Sequence, residues 1–597
     1  MYSVKGCYLA VLVVAILITS ASTRRLNWRK VVCRLFPCFS CGEVPDPQIP
    51  LPFSSPSVEH SFRKAAVCSD GSPCSCIARD ILKKDGSAVD AAVAALFCNG
   101  VVNMHSMGLG GGFMMTVYNH ESKEAKVLDA RETAPGAATR DMFAGKTSAS
   151  QKGALAAGVP GELRGYWEAQ QKYGRLKWNE VVEPALKMCK EGYIMSEHQS
   201  KNLGIQSGRF YSDPNLREWF VDSKNDFKPT GSLIQPKLLC ETLGVIAKND
   251  GNALHDGPLT KTFVDDIQKM GGIITEDDMR NYKPVWSDPI KVKLGDDTLY
   301  STPPPGSGVL LAFILKILEG FNITPDSMST LEKKTTTIHR MVEAFKYAYA
   351  KRTELGDPNI DTKIKEVVTN MMSEDYINSI RSQIKDDQTF EDAAHYGAVF
   401  YNPDDHGTAH ISILAPDGDA VAVTSTVNLI FGAGVTSERT GIVLNSGMND
   451  FSLPGVINYH GTKPSPANFI QPGKRSMSST CPTIIVDKNG DVRMVLGAAG
   501  GAFIPTAVSW VIIQHLWLGK SIKDAVDASR IHHQLYPMEI SYEYGVIAPL
   551  VKNLRTLGHK MSRFDSRSSG VFALAQKDKV IYANADYVKV GEVCGID

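Results

Sequence analysis

The sequence has no excess of charge of either sign. Its 597 residues carry 64 Lys and Arg against 64 Asp and Glu. Neutralising a phosphate backbone needs clustered surplus cations, so no nucleic-acid partner is expected. The paired CxxC of a zinc site is also lacking at Cys74–Cys76. Cys74-Ser75-Cys76 is a CxC, and no metal centre is expected. There is no internal repeat and no low-complexity domain. A Walker A loop is lacking too. Gly108–Gly112 and Gly497–Gly501 are glycine clusters, but neither opens a βαβ unit with a downstream acid. Each reads as a tight turn needing positive φ, with backbone donors for an anion or oxyanion as the sharper alternative.

Long apolar runs are absent except at the start. Cys7–Ala21 is uncharged, with Lys5 before it and Arg24 and Arg25 after it. It has the length of a signal-peptide core and falls short of the ~20 residues that span a bilayer. Residues 1–22 are therefore expected to be a signal peptide or a signal anchor. Both send the body of the chain out of the cytosol, to the extracellular face of the plasma membrane or into the medium. Cys33, Cys38 and Cys41 beside basic residues leave a cytosolic lipidation patch as a third reading. Residues 23–64, Pro-rich around Pro45–Pro56, read as a stem or linker. In an exported chain Asn322-Ile323-Thr324 is a glycosylation sequon. Cys189, Cys240 and Cys481 read as buried free thiols.

What is present is ordinary globular composition with clear periodicity. Ser87–Asn99 is Ala-rich with helical spacing and predicts a buried helix. Phe113–Tyr118 and Ala125–Ala130 predict two strands. From Gly158 to about His395 the pattern is mostly helical. After Tyr396 it changes to short alternating strands, among them Thr483–Val486 and Val492–Leu496 about a turn at Asp487–Gly490.

The most informative stretch runs from Asp404 to Asn428. Two alternating segments flank the turn Pro416-Asp417-Gly418-Asp419, which predicts a hairpin. Ala409, Ile411 and Ile413 share one face of its first strand, and Thr408, His410 and Ser412 share the other. On the second strand Val421, Val423 and Val427 oppose Thr424, Thr426 and Asn428. Apolar must face apolar, so the strands pair with even index sums and Thr408 lies opposite Thr426. By pattern alone the polar face is a solvated hairpin surface. Gly407-Thr408 suggests more. A Thr hydroxyl is a poor nucleophile without an adjacent base. A cut before Thr408 would make its own α-amine that base, with a pKa of about 7.7–8.0. Thr426 could then hold the new amine or the hydroxyl.

At these residues the chain resembles the γ-glutamyltranspeptidases (glutathione hydrolases) of the N-terminal-nucleophile hydrolase superfamily. The resemblance rests on Ser106–Gly112 (SMGLGGG), Ala130–Pro135 (ARETAP), Val159–Gly165 (VPGELRG), Gly407–Ser412 (GTAHIS), Thr424–Asn428 (TSTVN), Ser465–Gly473 (SPANFIQPG), Ser478–Thr483 (SSTCPT) and Gly497–Gly501 (GAAGG). It covers most of the chain, from about Ala65 to near the end. It implies an αββα four-layer sandwich made as one precursor. The precursor would cut itself between Gly407 and Thr408, giving a large subunit, 65–407, and a small subunit, 408–597.

The resemblance also implies the chemistry. Thr408 is nucleophile and, through its amine, base. It attacks the γ-glutamyl carbonyl of glutathione or a conjugate, and the γ-glutamyl enzyme passes to water or to an amino-acid or dipeptide acceptor. No cofactor is needed. Arg131, Ser478 and Ser479 match the residues that grip the glutamyl α-carboxylate. Asn428 and Asp450 match those that hold its α-amine, and Gly500 and Gly501 match the oxyanion donors. Cys74 and Cys98 match the family disulfide.

Three positions depart from the pattern. Gly447 stands where the family usually has Glu or Gln, so one contact to the substrate amine is missing. Ile430 replaces a frequent aromatic residue, and Asp586–Gly591 is a degraded form of a basic, Gly-rich ending. The competing reading is a weak or inactive secreted relative that binds γ-glutamyl peptides. An amidase for another acyl group is a third, and the carboxylate clamp of Arg131 and the Ser pair argues against it.

Overall fold

The structure is a computed structural model and describes residues 44–50, 55–205, 207–401, 407–456, 463–564, 567 and 569–597. The expected signal segment 1–22 and the stretch Asp404–His406 lie outside the described residues. Alternating segments make strands here, and the chain has enough of them to cover one sheet with another. Two seven-stranded antiparallel sheets result. The first runs β14 (Glu592–Ile596), β2 (Ala65–Ser69), β8 (Gly407–Leu414), β9 (Ala420–Asn428), β3 (Gly112–Asn119), β4 (Glu124–Ala130) and β5 (Val285–Ser287). The second runs β1 (His60–Phe62), β13 (Val580–Ala585), β12 (Gly570–Lys577), β11 (Val492–Ala499), β10 (Thr483–Val486), β7 (Asp297–Ser301) and β6 (Ile290–Leu294).

The outer faces are covered by helices. Helices α1 (Cys74–Leu82), α2 (Ala88–Val102) and α3 (Glu162–Tyr173) pack on the first sheet. Behind them lie α4 (Trp178–Glu191) and α5 (Lys237–Lys248). The second sheet carries α6 (Gly308–Glu319) and α8 (Ile504–Ile512), with α7 (Leu331–Arg352) packed on α6, and α9 (Ile522–Asp527) over β12 and β13. This is the αββα sandwich that the resemblance implies. The predicted helix over 87–99 begins as expected. Ser87 caps it, accepting from the Asp90 amide at 3.0 Å while its own amide donates to the Asp90 carboxylate at 2.9 Å. The predicted strands at 113–118, 125–130, 483–486 and 492–496 all form, three of them one to three residues longer.

The layer between the sheets positions the site. At one end it is apolar, with Leu414, Ala420 and Ala422 of the first sheet against Ile484, Val495 and Leu574 of the second. Toward the other end the same faces of β8 and β9 turn polar. Ser412, His410, Thr408, Thr424 and Thr426 are all buried there. Ala409, Ile411, Ile413, Val421 and Val423 belong instead to the core under the helices. The expected register holds from Ala409 to Leu414, with His410 opposite Thr424 and Ala409 opposite Ser425, and shifts at Thr408. The expected solvated surface does not hold, because the second sheet covers the polar face.

Cys74–Cys98 is a disulfide, as the family match implies. Cys189 and Cys240 are a correction. They are paired with each other, joining α4 to α5. Cys481 is buried and free, as is Cys68. An unexpected bridge, Cys76–Cys594, ties α1 to β14. The expected linker 23–64 is packed, not free, along much of its described part. His60–Phe62 forms β1 at a sheet edge, Asp46 accepts from Tyr542 at 2.8 Å, and Ser57 donates to Asp527 at 2.8 Å. Asn322 is exposed in the turn after α6. No helix among the described residues is long and apolar enough to cross a membrane.

Helix α3 supports β9 from outside through one buried acid. Ser425 donates to Glu162 at 2.7 Å, and the Tyr166 hydroxyl donates to the same oxygen. Burial pushes the Glu162 carboxyl up to about 8, against the pull of those two donors. The folded state therefore prefers the protonated form. That preference stabilises the fold fully below the ordinary value of 4.5 and is lost as pH rises from there through about 8. Thermal unfolding of Glu162→Gln across this range tests the assignment. The Tm of the wild type is expected to fall relative to the variant as pH rises. A constant gap would show that Glu162 does not titrate in this way.

Candidate active site

The site begins at a bulge. Gly407 pairs with Asn428 and Ala409 with Ser425, so the register shifts at Thr408. Thr408 is only 2% exposed. Thr426 sits beside it, and its hydroxyl accepts from the Asn428 amide at 2.8 Å. Its own proton is then directed to the Gly407 carbonyl, to which it donates. The sequence reading has Thr426 hold an amine or a hydroxyl. In the uncut chain it polarises the carbonyl immediately before Thr408.

A cation steadies the other side of Thr408. Lys589 Nζ donates to the Thr408 carbonyl and pairs with Asp70 at 3.2 Å. Burial pushes the Asp70 carboxyl up, and the Lys589 charge opposes it. Lys589 is placed by its neighbour in sequence. Asp586 is fully buried and accepts from Arg530 at 2.6 Å, with Arg567 at 3.3 Å. Burial would raise that carboxyl, but the two guanidinium groups hold it below the usual range. Asp586 also accepts from the Val588 amide at 3.2 Å, which shapes the turn carrying Lys589. Neither Lys589 nor Asp70 is among the sequence-predicted residues. The degraded ending Asp586–Gly591 was the available signal for Lys589, and Asp70 had none.

A row of side chains fills the space between the sheets behind Thr408. His410 contacts the Thr424 hydroxyl at 2.8 Å and the Ser412 hydroxyl at 3.0 Å, and Ser412 donates to the Phe572 carbonyl at 3.0 Å. Burial drives the His410 pKa down to about 3, so the ring is neutral. Its ring lies over Gly497. A Cβ on Gly497 would stand 2.2 Å from His410 Cε1. Gly497 is therefore a strand residue required by close approach, and not a turn. Gly111 is similar: a Cβ there would stand 2.2 Å from the Thr426 carbonyl oxygen. Gly500 and Gly501 do have positive φ, 129° and 58°, where β11 leads into α8. They lie toward the Thr408 end of the sandwich. Ala499 pairs with Gly570, a Cβ on Gly570 would meet Val588 at 3.0 Å, and Val588 adjoins Lys589.

The charged part lies across the end of β4. Arg131 is 1% exposed, so it is no surface ion pair. Its Nη2 donates to Asp450 at 2.8 Å and to Ser476 at 3.0 Å. Burial opposes the guanidinium charge, but Glu132 and Asp450 outweigh it and raise its pKa. Arg131 Nε and Nη1 have no hydrogen-bond partner among the described residues. Asn428 donates to the Ser446 carbonyl at 2.7 Å, and its Oδ1 is likewise buried without a partner. Asn468 joins Asp450 to the Ser segment, donating to the Asp450 carbonyl at 2.7 Å and accepting from the Met477 amide at 3.0 Å. Ser478 and Ser479 are fully buried. Ser478 is engaged with Thr480 at 3.2 Å, and Ser479 accepts from Arg352 at 3.2 Å. The direct hydroxyl contact to Arg131 is thus from Ser476, which the sequence reading missed two positions before the Ser pair. Ile430 is half-buried against the core under the helices. The assembled features are a carbonyl that accepts from Thr426 immediately before the buried Thr408, and a buried cation with open donors.

The chain is similar to known proteins over most of its length. The family model for gamma-glutamyltranspeptidase matches residues 74–596. Scoloptoxin SSD14 of Scolopendra dehaani is 43% identical over 546 residues, covering 91% of this chain and 94% of that protein. Glutathione hydrolase 5 proenzyme of Rattus norvegicus is 36% identical over 543 residues, covering 90% of this chain and 93% of that protein. Among solved structures, cephalosporin acylase from Bacillus halodurans superposes with a TM-score of 0.78 at 22% identity, covering 93% of this chain and 100% of that one. That last likeness is one of fold.

The contact between His410 and Gly497 yields a test by thermal unfolding. Gly497→Ala is expected to destabilise the protein by ~1–3 kcal/mol through overpacking. In a His410→Ala background, where the ring is gone, the same change is expected to cost far less. Equal costs in both backgrounds would refute the contact.

Proposed function

The chain belongs to the gamma-glutamyltranspeptidase family and is a γ-glutamyl hydrolase/transferase, and on that footing we propose how its own residues carry the reaction. The chain cuts itself between Gly407 and Thr408. The Thr408 hydroxyl attacks the Gly407 carbonyl carbon, the C–N bond breaks, and an ester with a free Thr408 amine results. Water hydrolyses the ester, giving subunits 65–407 and 408–597 with the preceding segments on the first. The observation that carries this reading is the Thr426 proton held on the Gly407 carbonyl. It lies where negative charge develops in the attack, and a fixed donor there stabilises the transition state.

The freed amine of Thr408 then serves as base for its own hydroxyl. The hydroxyl attacks the γ-glutamyl carbonyl of glutathione or a conjugate. The amine takes the hydroxyl proton and passes it to the departing cysteinyl amine. Backbone N–H groups of Gly500 and Gly501 receive the oxyanion. Water releases glutamate from the γ-glutamyl ester, and an amino-acid or dipeptide amine releases a new γ-glutamyl compound. The open donors of Arg131, with Ser478 and Ser479, take the substrate α-carboxylate, and Asn428 and Asp450 take its α-amine. Three disulfides among the described residues support an oxidising location, on the outer face of the plasma membrane or secreted.

Two measurements test this. On reducing denaturing gels the wild type is expected to give two pieces and Thr408→Ala one. Without reductant the wild-type pieces are expected to stay together, because Cys76 and Cys594 lie on opposite sides of the cut. Thr426→Val is expected to slow cutting by roughly 10²–10³-fold, the usual effect of losing one oxyanion donor. An uncut wild type would end the autocleavage reading. Separately, a γ-glutamyl anilide is expected to release its aniline, with no release from Thr408→Ala. Arg131→Lys is expected to raise KM by roughly 10–100-fold, since a planar guanidinium with several donors is replaced by a point charge. An unchanged KM would remove Arg131 from the binding site.

A further inference from the structure

The bridge Cys76–Cys594 joins α1 to β14, which the proposed cut would leave on separate subunits. β14 is an edge strand, and among the described residues its one neighbour in the sheet is β2. Such a strand is held by a single ladder of hydrogen bonds. The ladder sets Cys594 opposite Val67 and Glu592 opposite Ser69. Asp70 directly follows Ser69, and Lys589 comes shortly before Glu592. The register of β14 on β2 therefore brings Lys589 to Asp70, at 3.2 Å, and onto the Thr408 carbonyl. The first turn of α1 adds to the hold. Ser72 donates to the Glu592 carboxylate at 3.0 Å and Ser75 to the Glu592 carbonyl at 2.9 Å. The bridge is the covalent member of this set.

The same bridge is the one open to solvent. Cys74, Cys98, Cys189 and Cys240 are buried, and so is Cys594 at 8% exposure. Cys76 is half-buried beside the exposed Ser72. Thiol–disulfide exchange needs a thiolate to reach a bridge sulfur, so Cys76 Sγ is the accessible target. Glutathione, the donor in the γ-glutamyl reading, is itself such a thiol.

We propose that the Cys76–Cys594 bridge is a positioning element for Lys589 and Thr408, and that glutathione opens it and so lowers turnover. The assignment rests on the γ-glutamyl reading above. A glutathione thiolate attacks Cys76 Sγ, the bridge bond breaks, and Cys594 leaves as a thiolate. A second glutathione thiolate attacks the glutathione sulfur now joined to Cys76. Cys76 leaves as a thiolate, and glutathione disulfide is released. Two glutathiones are oxidised, and one bridge is reduced to two thiols. β14 is then held by hydrogen bonds alone, and Lys589 loses its fixed station on the Thr408 carbonyl. The donor groups on Arg131 and Asp450 lie on other elements and stay in place.

The test incubates the cut enzyme with glutathione or with S-methylglutathione, whose sulfur is blocked, removes either, and assays a γ-glutamyl anilide. Gels without reductant follow the bridge as one joined band or two pieces. Glutathione is expected to separate the pieces and to lower kcat roughly 10-fold in step, as for loss of a hydrogen bond from a charged group. KM is expected to stay close to its starting value, a split that general unfolding would not give. S-methylglutathione is expected to change neither band nor rate. Cys76→Ser/Cys594→Ser is expected to begin at the lowered kcat and to show no further response, whereas Cys189→Ser/Cys240→Ser is expected to respond as the wild type does. A bridge that glutathione leaves closed, pieces that separate without loss of kcat, or a loss that persists in Cys76→Ser/Cys594→Ser would each overturn the proposal. Should the untreated wild type release no aniline, the γ-glutamyl reading itself fails. Hydrogen exchange then decides the positioning role: opening the bridge must speed exchange in both β14 and the first residues of β8, and unchanged exchange in either refutes it.

Discussion

The pairing of β8 with β9, buried on both faces, is the constraint from which the site follows. A hairpin with one polar face normally turns it to water. Here the second sheet covers that face, and every hydroxyl on it must find a protein partner. His410, Thr424 and Ser412 satisfy one another and end on the Phe572 carbonyl. Thr426 has no such neighbour in the row and donates to the Gly407 carbonyl. The interior location of the row also accounts for Gly497 and Gly111, where any side chain would strike His410 or the Thr426 carbonyl. Packing and chemistry thus share one cause.

Much of this is legible in the sequence, and the rest is hidden for identifiable reasons. Parity along Thr408–Ile413 and Val421–Asn428 determines the register, because a one-residue slip would reverse both faces. Parity says nothing of what lies over a face, and so the polar row reads as solvated when it is interior. Spacing places Cys189 and Cys240 on separate helices without showing that α4 and α5 lie side by side. Cys76 and Cys594 are 518 residues apart, and only the adjacency of α1 and β14 pairs them. Glycine clusters read as turns because positive φ is their local use. Gly497 and Gly111 instead serve contacts with distant segments, which no local pattern carries.

The electrostatics of the site are arranged as open and closed circuits. Asp70 with Lys589, and Asp586 with Arg530 and Arg567, are ion-paired within 3.3 Å, although Asp70 Oδ1 and Arg530 Nε make no hydrogen bond among the described residues. Around Arg131 the circuit is open. Asp450 and Ser476 occupy one nitrogen, and two nitrogens, the Glu132 oxygens and one oxygen of Asn428 are left over. Buried polar groups are rarely left this way in a region whose only role is to hold the fold.

Lys589 and β14 also set an order in time. They are the latest parts of the site to emerge during synthesis, yet Lys589 holds the Thr408 carbonyl and β14 completes the sheet edge beside β2. A nascent chain that has already exposed Gly407 and Thr408 still lacks the last side chain and strand that steady them. The support around Thr408 is thus complete only when the chain through β14 is in place.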